Sequence, residues 1–354
     1  MRAIGMPPGA PSGVDSDLID MIESVFADYR HAHNRADSGP GSACDRALWQ
    51  RLDTLGLVRL TGAEEFGGSG ASWRESSELL AAAVRHGVRL PLAEHDLLAC
   101  WLLEATGQPV DSSIRAVHIV PRAGRPGGPT PWAGVADRLV VLWWTGTQYR
   151  LADADVAALT ITPGTNLIGE PRDTVQADTS QWTGQPVAPE LVTELKRKAA
   201  LLRSIQVCAA LDGAVAMSVA HATSRTQFGR PLGKFQAIQN LVADAAAEAA
   251  LARAATEVAL STALESGWTS EYLGFQIAVS RSCAGHAASV VTRNAHQVHG
   301  AIGTTHEHRL HELTRAALTW RSENGSVHFW DKRISAVAAA AGPAQLWALI
   351  TATP

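Results

Sequence analysis

Ser224-Arg225-Thr226-Gln227-Phe228-Gly229-Arg230-Pro231-Leu232-Gly233-Lys234-Phe235-Gln236-Ala237-Ile238-Gln239 lies between two long segments of helical periodicity. Its Phe-Gly and Pro punctuation predicts a turn before the apolar 3.6-residue rhythm resumes. The turn is cationic and carries glycine. Arg225 offers a fork of donors matched to phosphate, Gly229 permits close backbone approach, and Phe228 offers an aromatic face. A nucleotide cofactor suits such a turn; a polar helix-to-helix connection has the same composition.

Outward from this stretch the chain is mostly helical. Toward the N-terminus, Leu18, Ile19, Ile22, Val25 and Phe26 recur at helical spacing, as do Leu48, Leu52 and Leu55 before Gly56. The pattern continues at Leu79–Val84 and Leu97–Leu103, giving a helical N-terminal domain over residues 1–110. From Asp111 the texture changes to short β-rich runs (117–120, 139–144 and 159–162), which predict a small central β domain over 111–188. Residues 189–354 return to Ala-rich helix. Segments near 190–224, 235–265, 270–298 and 327–350 predict an antiparallel four-helix bundle.

At 354 residues, with 46% hydrophobic and 18% charged residues and a net charge of −4, the chain is expected to be a globular cytoplasmic protein with no basic surface for nucleic acid. Cys44, Cys100, Cys208 and Cys283 form no Cys-x-x-Cys pair, as expected of reduced thiols. The Pro/Gly-rich stretch Met1–Gly13 lacks a signal-peptide pattern, and no uninterrupted apolar run approaches a membrane span.

Arg-x-x-Phe-Gly followed by Pro-Leu-x-x-Phe-Gln-x-x-Gln resembles the signature of the acyl-CoA dehydrogenase family, and Gln297-Val298-His299-Gly300-Ala301-Ile302-Gly303 resembles a second block of it. Glu64-Glu65-Phe66-Gly67-Gly68 is a weaker third match, read as a turn between helices. The resemblance implies a mostly α acyl-CoA dehydrogenase-like fold, FAD as cofactor, an acyl-CoA substrate and an electron-transfer flavoprotein as acceptor. It further implies that Arg225, Phe228, Gln236, Gln297, Gly300 and Ala301 bind FAD across a subunit interface, Ala301 standing where the family has a second glycine.

Two family features are missing. The central domain lacks the flavin-cradling Thr-Glu-Pro-x-Ala-Gly-Ser stretch, and Trp143-Trp144-Thr145 and Gln181-Trp182-Thr183 only faintly echo its Trp-x-Thr/Ser strand; Trp143 and Trp144 read as strand core. In the family a glutamate removes the α-proton of the thioester while the β-hydride passes to flavin N5. In one branch that glutamate falls at Asn324, within Glu323-Asn324-Gly325-Ser326; in another, eleven residues before Gln297, it falls at His286. No confident base remains, and Glu323 and His286 are the weak candidates. Groups donated to a partner's flavin persist while the cradle and base do not. That combination resembles the supporting subunit of the α2β2 acyl-CoA dehydrogenases of the steroid side-chain branch, which work beside a catalytic subunit. The alternatives are a homo-oligomer using Glu323 or His286 as base, a flavin-free scaffold or CoA-thioester binding protein, and, more remotely, a flavin monooxygenase. His306, His308 and His311 invite a metal reading but fail the His-Glu-x-x-His spacing, and no metal is expected. Trp320 and Trp330 read as core.

Overall fold

A computed structural model describes residues 13–33, 44–122 and 127–351. The Pro/Gly-rich Met1–Gly13 stretch therefore lies almost wholly outside the described residues. The first helices are α1 (Ser16–Ala32), α2 (Arg46–Thr54) and α3 (Trp73–His86). Their ends follow local chemistry: Asp45 accepts from the backbone N–H groups of Ala47 and Leu48, and Ser72 with Glu75 closes a reciprocal capping box on α3. Glu64–Phe66 is a single 3-10 turn between α2 and α3.

The periodic run 97–103 is irregular. Glu94–Cys100 forms a π-helical segment that leads into α4 (Trp101–Ala105), and every residue of the wide turn is buried. Wide turns of this kind mark places where side chains must be aimed away from ordinary helical spacing. Here they send three consecutive ionisable groups to separate partners. Glu94 pairs with Arg203 at 2.6 Å, His95 accepts the Arg115 N–H at 3.0 Å, and Asp96 accepts the Thr61 N–H and hydroxyl, each at 3.0 Å.

Strands β1 (Arg115–Ile119), β2 (Thr130–Pro131), β3 (Arg138–Trp144), β4 (Tyr149–Asp155), β5 (Thr160–Thr162), β6 (Arg172–Gln176) and β7 (Gln185–Val187) form two sheets. One has the order β1-β3-β4-β7 with β1 parallel to β3; the other has the order β2-β6-β5. Strand β3 explains its own unbroken apolar sequence. Leu139, Val141 and Trp143 pack between the sheets, while Val140 and Leu142 join the core shared with the helices, so both faces are buried. Trp143 meets Trp182 edge-on at 5.8 Å, which makes both tryptophans packing groups of this domain.

The remaining chain is α5 (Pro189–Ser224), a hairpin of β8 (Thr226–Gln227) and β9 (Arg230–Pro231), α6 (Gln236–Glu265), α7 (Leu273–His299), α8 (Leu310–Trp320) and α9 (Val327–Thr351). Alanines set the packing. Ala245, Ala249 and Ala252 of α6 and Ala284, Ala287, Ala288 and Ala295 of α7 share one buried cluster, and such small side chains let helix axes approach closely. Trp320 and Trp330 are both buried. All four cysteines are free thiols.

Contrary to the sequence expectation, α5 and α9 are each long and apolar enough to cross a membrane by length and composition, with a mean hydropathy of 1.4. For α5 the reason is burial, 78% of its apolar window being packed inside the protein. Helix α9 lies on the surface and is interrupted at Gly342-Pro343, so neither of its pieces reaches the ~20 residues a span requires.

Lys198 of α5 is enclosed by aromatic rings. Its ammonium sits 3.9 Å from the Trp268 ring centroid, 4.5 Å from Trp101 and 5.2 Å from Trp73, with Glu194 at 3.3 Å. Burial pulls its pKa down to about 8 from 10.5, against the opposing pull of Glu194. Between those values the unfolded chain binds more protons than the folded one, so stability rises with pH across that window. We expect the urea midpoint to rise between pH 8 and pH 10 by an amount reflecting about 2–3 kcal/mol, and Lys198→Met to abolish that rise. Equal slopes in the two proteins would show that Lys198 is not responsible.

Candidate functional site

The six residues assigned to a cofactor by resemblance all lie exposed at one end of the helical bundle. Arg225 leaves the C-terminus of α5, Phe228 tops the hairpin, and Gln236 begins α6. Gln297 occupies the last turn of α7, and Gly300 and Ala301 follow it. His221 and His299 stack at 4.5 Å, joining the C-terminal turns of α5 and α7 so that the two groups share one end.

The hairpin is built to display its tip. Phe228 (φ 52°) and Gly229 (φ 76°) both take left-handed backbone, the geometry of a tight two-residue β-turn. Gly229 is needed for that conformation and not for close approach within the chain, because a Cβ there meets nothing within 4 Å. Gly300 (φ 63°) also has open space beside it. Phe228 is 89% exposed, with the Phe235 ring edge-on at 6.1 Å. Arg230 covers the Phe235 ring at 4.1 Å, and Gln239 donates to the Gly233 carbonyl at 2.8 Å. Among the described residues the Arg225 side chain makes no hydrogen bond or ion pair within the chain. An exposed aromatic face beside a free guanidinium and the open backbone at Gly300 fits an adenine and a pyrophosphate.

A second site lies at the junction of the β domain with the helices. A cavity of about 270 Å³ is lined by Val117–Ile119 of β1, Gly128 and Pro129 with strand β2 after them, Leu98, and Leu195, Ala199 and Leu202 of α5. Glu94, Arg203, His118 and Asn324 supply its polar wall. Asn324, the position where one family branch carries its base, reaches this cavity in left-handed backbone (φ 55°) and donates to the Ala199 carbonyl at 3.0 Å.

Behind Asn324 the polar wall is a chain of alternating charges. Arg203 bridges Glu94 (2.6 Å) and Glu323 (2.8 Å); Arg172 bridges Glu323 (2.7 Å) and Glu170 (2.9 Å). The Trp320 indole N–H closes the series on Glu170 at 3.0 Å. Burial alone would raise the Glu323 carboxyl, but Arg203 and Arg172 outweigh it and hold the group below the ordinary glutamate value. A carboxylate so stabilised is a poor proton acceptor. The one-residue backbone shift that would have brought Glu323 into the base position is not taken: Asn324 lines the cavity and Glu323 faces the arginines. His286 stands elsewhere on α7, mostly exposed and 3.1 Å from Asp331. Neither of these two candidates lines the cavity: Glu323 is paired with Arg172 and Arg203, and His286 with Asp331.

Sequence reasoning missed several cavity residues. His118 is buried, shares a 2.7 Å hydrogen bond with Thr130, and is pushed down to about 4 by burial, so it is a neutral imidazole. Glu94 and Arg203 also escaped notice. One signal was present: Pro121-Arg122-Ala123-Gly124, just after β1, keeps the Pro-x-Ala-Gly part of the cradle sequence. The histidine cluster also divides differently. His306 and His311 meet edge-on at 5.2 Å, while His308 turns to His221 and His299.

Residues 194–345 match the model of the acyl-CoA dehydrogenase C-terminal domain. The match covers the C-terminal helical bundle, which is an acyl-CoA dehydrogenase C-terminal domain. The acyl-CoA dehydrogenase family consists of FAD-dependent oxidoreductases acting on CH–CH bonds. The chain is 27% identical over 271 residues to the acyl-CoA dehydrogenase IpdE2 of Mycolicibacterium smegmatis, covering 75% of this chain and 79% of that one. With IpdE2 of Mycobacterium tuberculosis it shares 26% over 303 residues, covering 83% and 87%. In fold it resembles a chain of the ChsE4-ChsE5 complex from Mycobacterium tuberculosis, with a TM-score of 0.81, 19% identity, and coverage of 95% of this chain and 99% of that one.

Two outcomes check the polar wall. Glu323→Gln leaves Arg203 and Arg172 short of a shared counter-charge, and urea unfolding is expected to show a loss of about 3–5 kcal/mol. His286→Gln is expected to leave both stability and the turnover of the assembled enzyme unchanged; a hundredfold loss of turnover with stability intact would make His286 a catalytic group.

Proposed function

We propose that this chain is the supporting subunit of a heteromeric, cytoplasmic acyl-CoA dehydrogenase. On this reading it pairs with a catalytic subunit in an α2β2 assembly that introduces an α,β double bond into a CoA thioester with a bulky, steroid-type acyl group. Electrons leave through an electron-transfer flavoprotein. The observation that carries the reading is the wall of the 270 Å³ cavity. Where a catalytic subunit needs a carboxylate base and an apolar acyl channel, this chain has the amide of Asn324 backed by Glu94, Arg203 and Glu323. An amide does not accept a proton at neutral pH, and an acyl chain would have to displace a buried ion-pair network. The likeness to a chain of the ChsE4-ChsE5 complex and to a solved steroid ACAD variant supports the choice of partner and substrate class.

FAD, when bound, supplies the hydride acceptor. The groups of this chain that would hold it are those at the bundle end: the Arg225 guanidinium for the pyrophosphate, the Phe228 ring against the adenine, Gln236 and Gln297 as hydrogen-bonding side chains, and the exposed backbone at Gly300 and Ala301. On this reading their role is to complete the site of a neighbouring subunit. The chain's further contribution is to cover the neighbour's cofactor and keep water from it.

Visible absorbance of the purified chain is expected to show little flavin, rising to about one flavin per pair of chains on co-expression with a catalytic partner. A full equivalent of flavin on the isolated chain would favour a self-sufficient homo-oligomer. In the assembled enzyme Arg225→Ala is expected to weaken FAD retention by about 10–100-fold, the loss of charge-assisted bonds to a phosphate. Unchanged retention in Arg225→Ala and Phe228→Ala alike would favour a flavin-free scaffold.

A further inference from the structure

Three histidines from three separate elements meet behind the cofactor-facing end. His221 lies on the last turn of α5, His299 ends α7, and His308 sits in the turn before α8. One ring nitrogen from each lies within 4.8 Å of the other two. His221 and His299 stack at 4.5 Å, His299 and His308 tilt together at 4.7 Å, and His221 and His308 stand edge-on at 6.3 Å.

His299 supplies the deciding detail. It is 5% exposed, and its Nδ1–H donates to the Ala295 carbonyl at 2.8 Å. That bond favours the tautomer with its proton on Nδ1 and leaves Nε2 buried without a well-formed hydrogen bond, the Met217 backbone being the other polar group near the ring. Buried acceptors are almost always satisfied, so an orphan directed at two other imidazoles needs a reason. A second-shell carbonyl orienting a histidine through Nδ1 while Nε2 faces inward is the usual arrangement of a metal-ligating histidine.

We propose that His221, His299 and His308 form a site for one divalent cation of the Zn2+ class, bound by three imidazoles with a fourth position open to water. The donor set selects the ion, since hard cations such as Mg2+ and Ca2+ want oxygen ligands and the cluster offers none. His308 now accepts the Leu310 N–H through Nδ1 at 3.2 Å, so loading through Nε2 shifts its proton to Nδ1 and gives up that long contact. The bound ion would tie the end of α5, from which Arg225 departs, to the end of α7 and Gly300, bracing both cofactor-facing segments from behind. The site does not depend on the subunit reading above.

The test uses the untagged full-length chain, stripped with chelator and titrated with Co2+ while the visible spectrum is recorded. One equivalent is expected to give the intense d–d absorption of a four-coordinate ion, bleached by equimolar Zn2+. His308→Gln and His221→Gln, both at partly exposed positions, are expected to weaken binding by more than the ~10–100-fold that follows loss of an outer-shell partner alone. Their circular dichroism and melting should match the metal-free parent, and His306→Gln should bind as the parent does. A weak six-coordinate spectrum, or a four-coordinate band that survives in both His308→Gln and His221→Gln, would overturn the proposal.

Discussion

The series of buried charges from Glu94 through Arg203, Glu323 and Arg172 to Glu170 ties the molecule together. Each member comes from a different part of the chain: the π-helical turn, α5, the turn after α8, strand β6 and the loop before it. Burying so many ions is tolerable only when every carboxylate meets a guanidinium, and the alternation supplies that. The arrangement fixes how the β domain sits against the helices. It also decides what the cavity between them can do, because the same groups form its polar wall.

A third buried arginine reinforces this region without entering the series. Arg281 of α7 donates through Nη2 to the carbonyls of Trp320, Arg321 and Glu323, gathering the C-terminal end of α8. Burial and the nearby Arg203 pull its pKa down to about 10, the mark of a cation held with fewer counter-charges than it would choose. The turn bearing Asn324 is thus clamped from both sides, by Glu323 toward Arg203 and Arg172 and by the backbone toward Arg281. A clamped turn keeps an amide where it can pack but not react.

Much of this was legible in the sequence. The long helices announce themselves because Ala-rich heptad-like spacing has few other uses, and the Phe228-Gly229 turn is written in residues with restricted backbone preferences. The β domain was legible in texture, and Trp143 in its packing role, but a strand buried on both faces loses the alternation that would have oriented it. The charge series was invisible because its members are scattered from Glu94 to Glu323, and no local spacing links a carboxylate on one helix to a guanidinium on another. The π turn hid for a related reason: its apolar residues imitate helical periodicity, and only the buried Glu94, His95 and Asp96 betray the wider winding. In the histidine-rich stretch, neighbours in sequence proved to be separate in space, and His308 found its companions on α5 and α7.

The strained hairpin tip has an evolutionary consequence. A phenylalanine in left-handed backbone is disfavoured by about 1–2 kcal/mol relative to the glycine or asparagine that the turn would accept more readily. Random substitution at position 228 should therefore often make the isolated chain more stable, and an 89% exposed ring offers the folded chain almost no packing in return. Selection for folding alone would erode this residue within a lineage. On the subunit reading its presence records a pressure acting from outside the chain, and its loss among descendants would be an early sign that the pressure had lapsed.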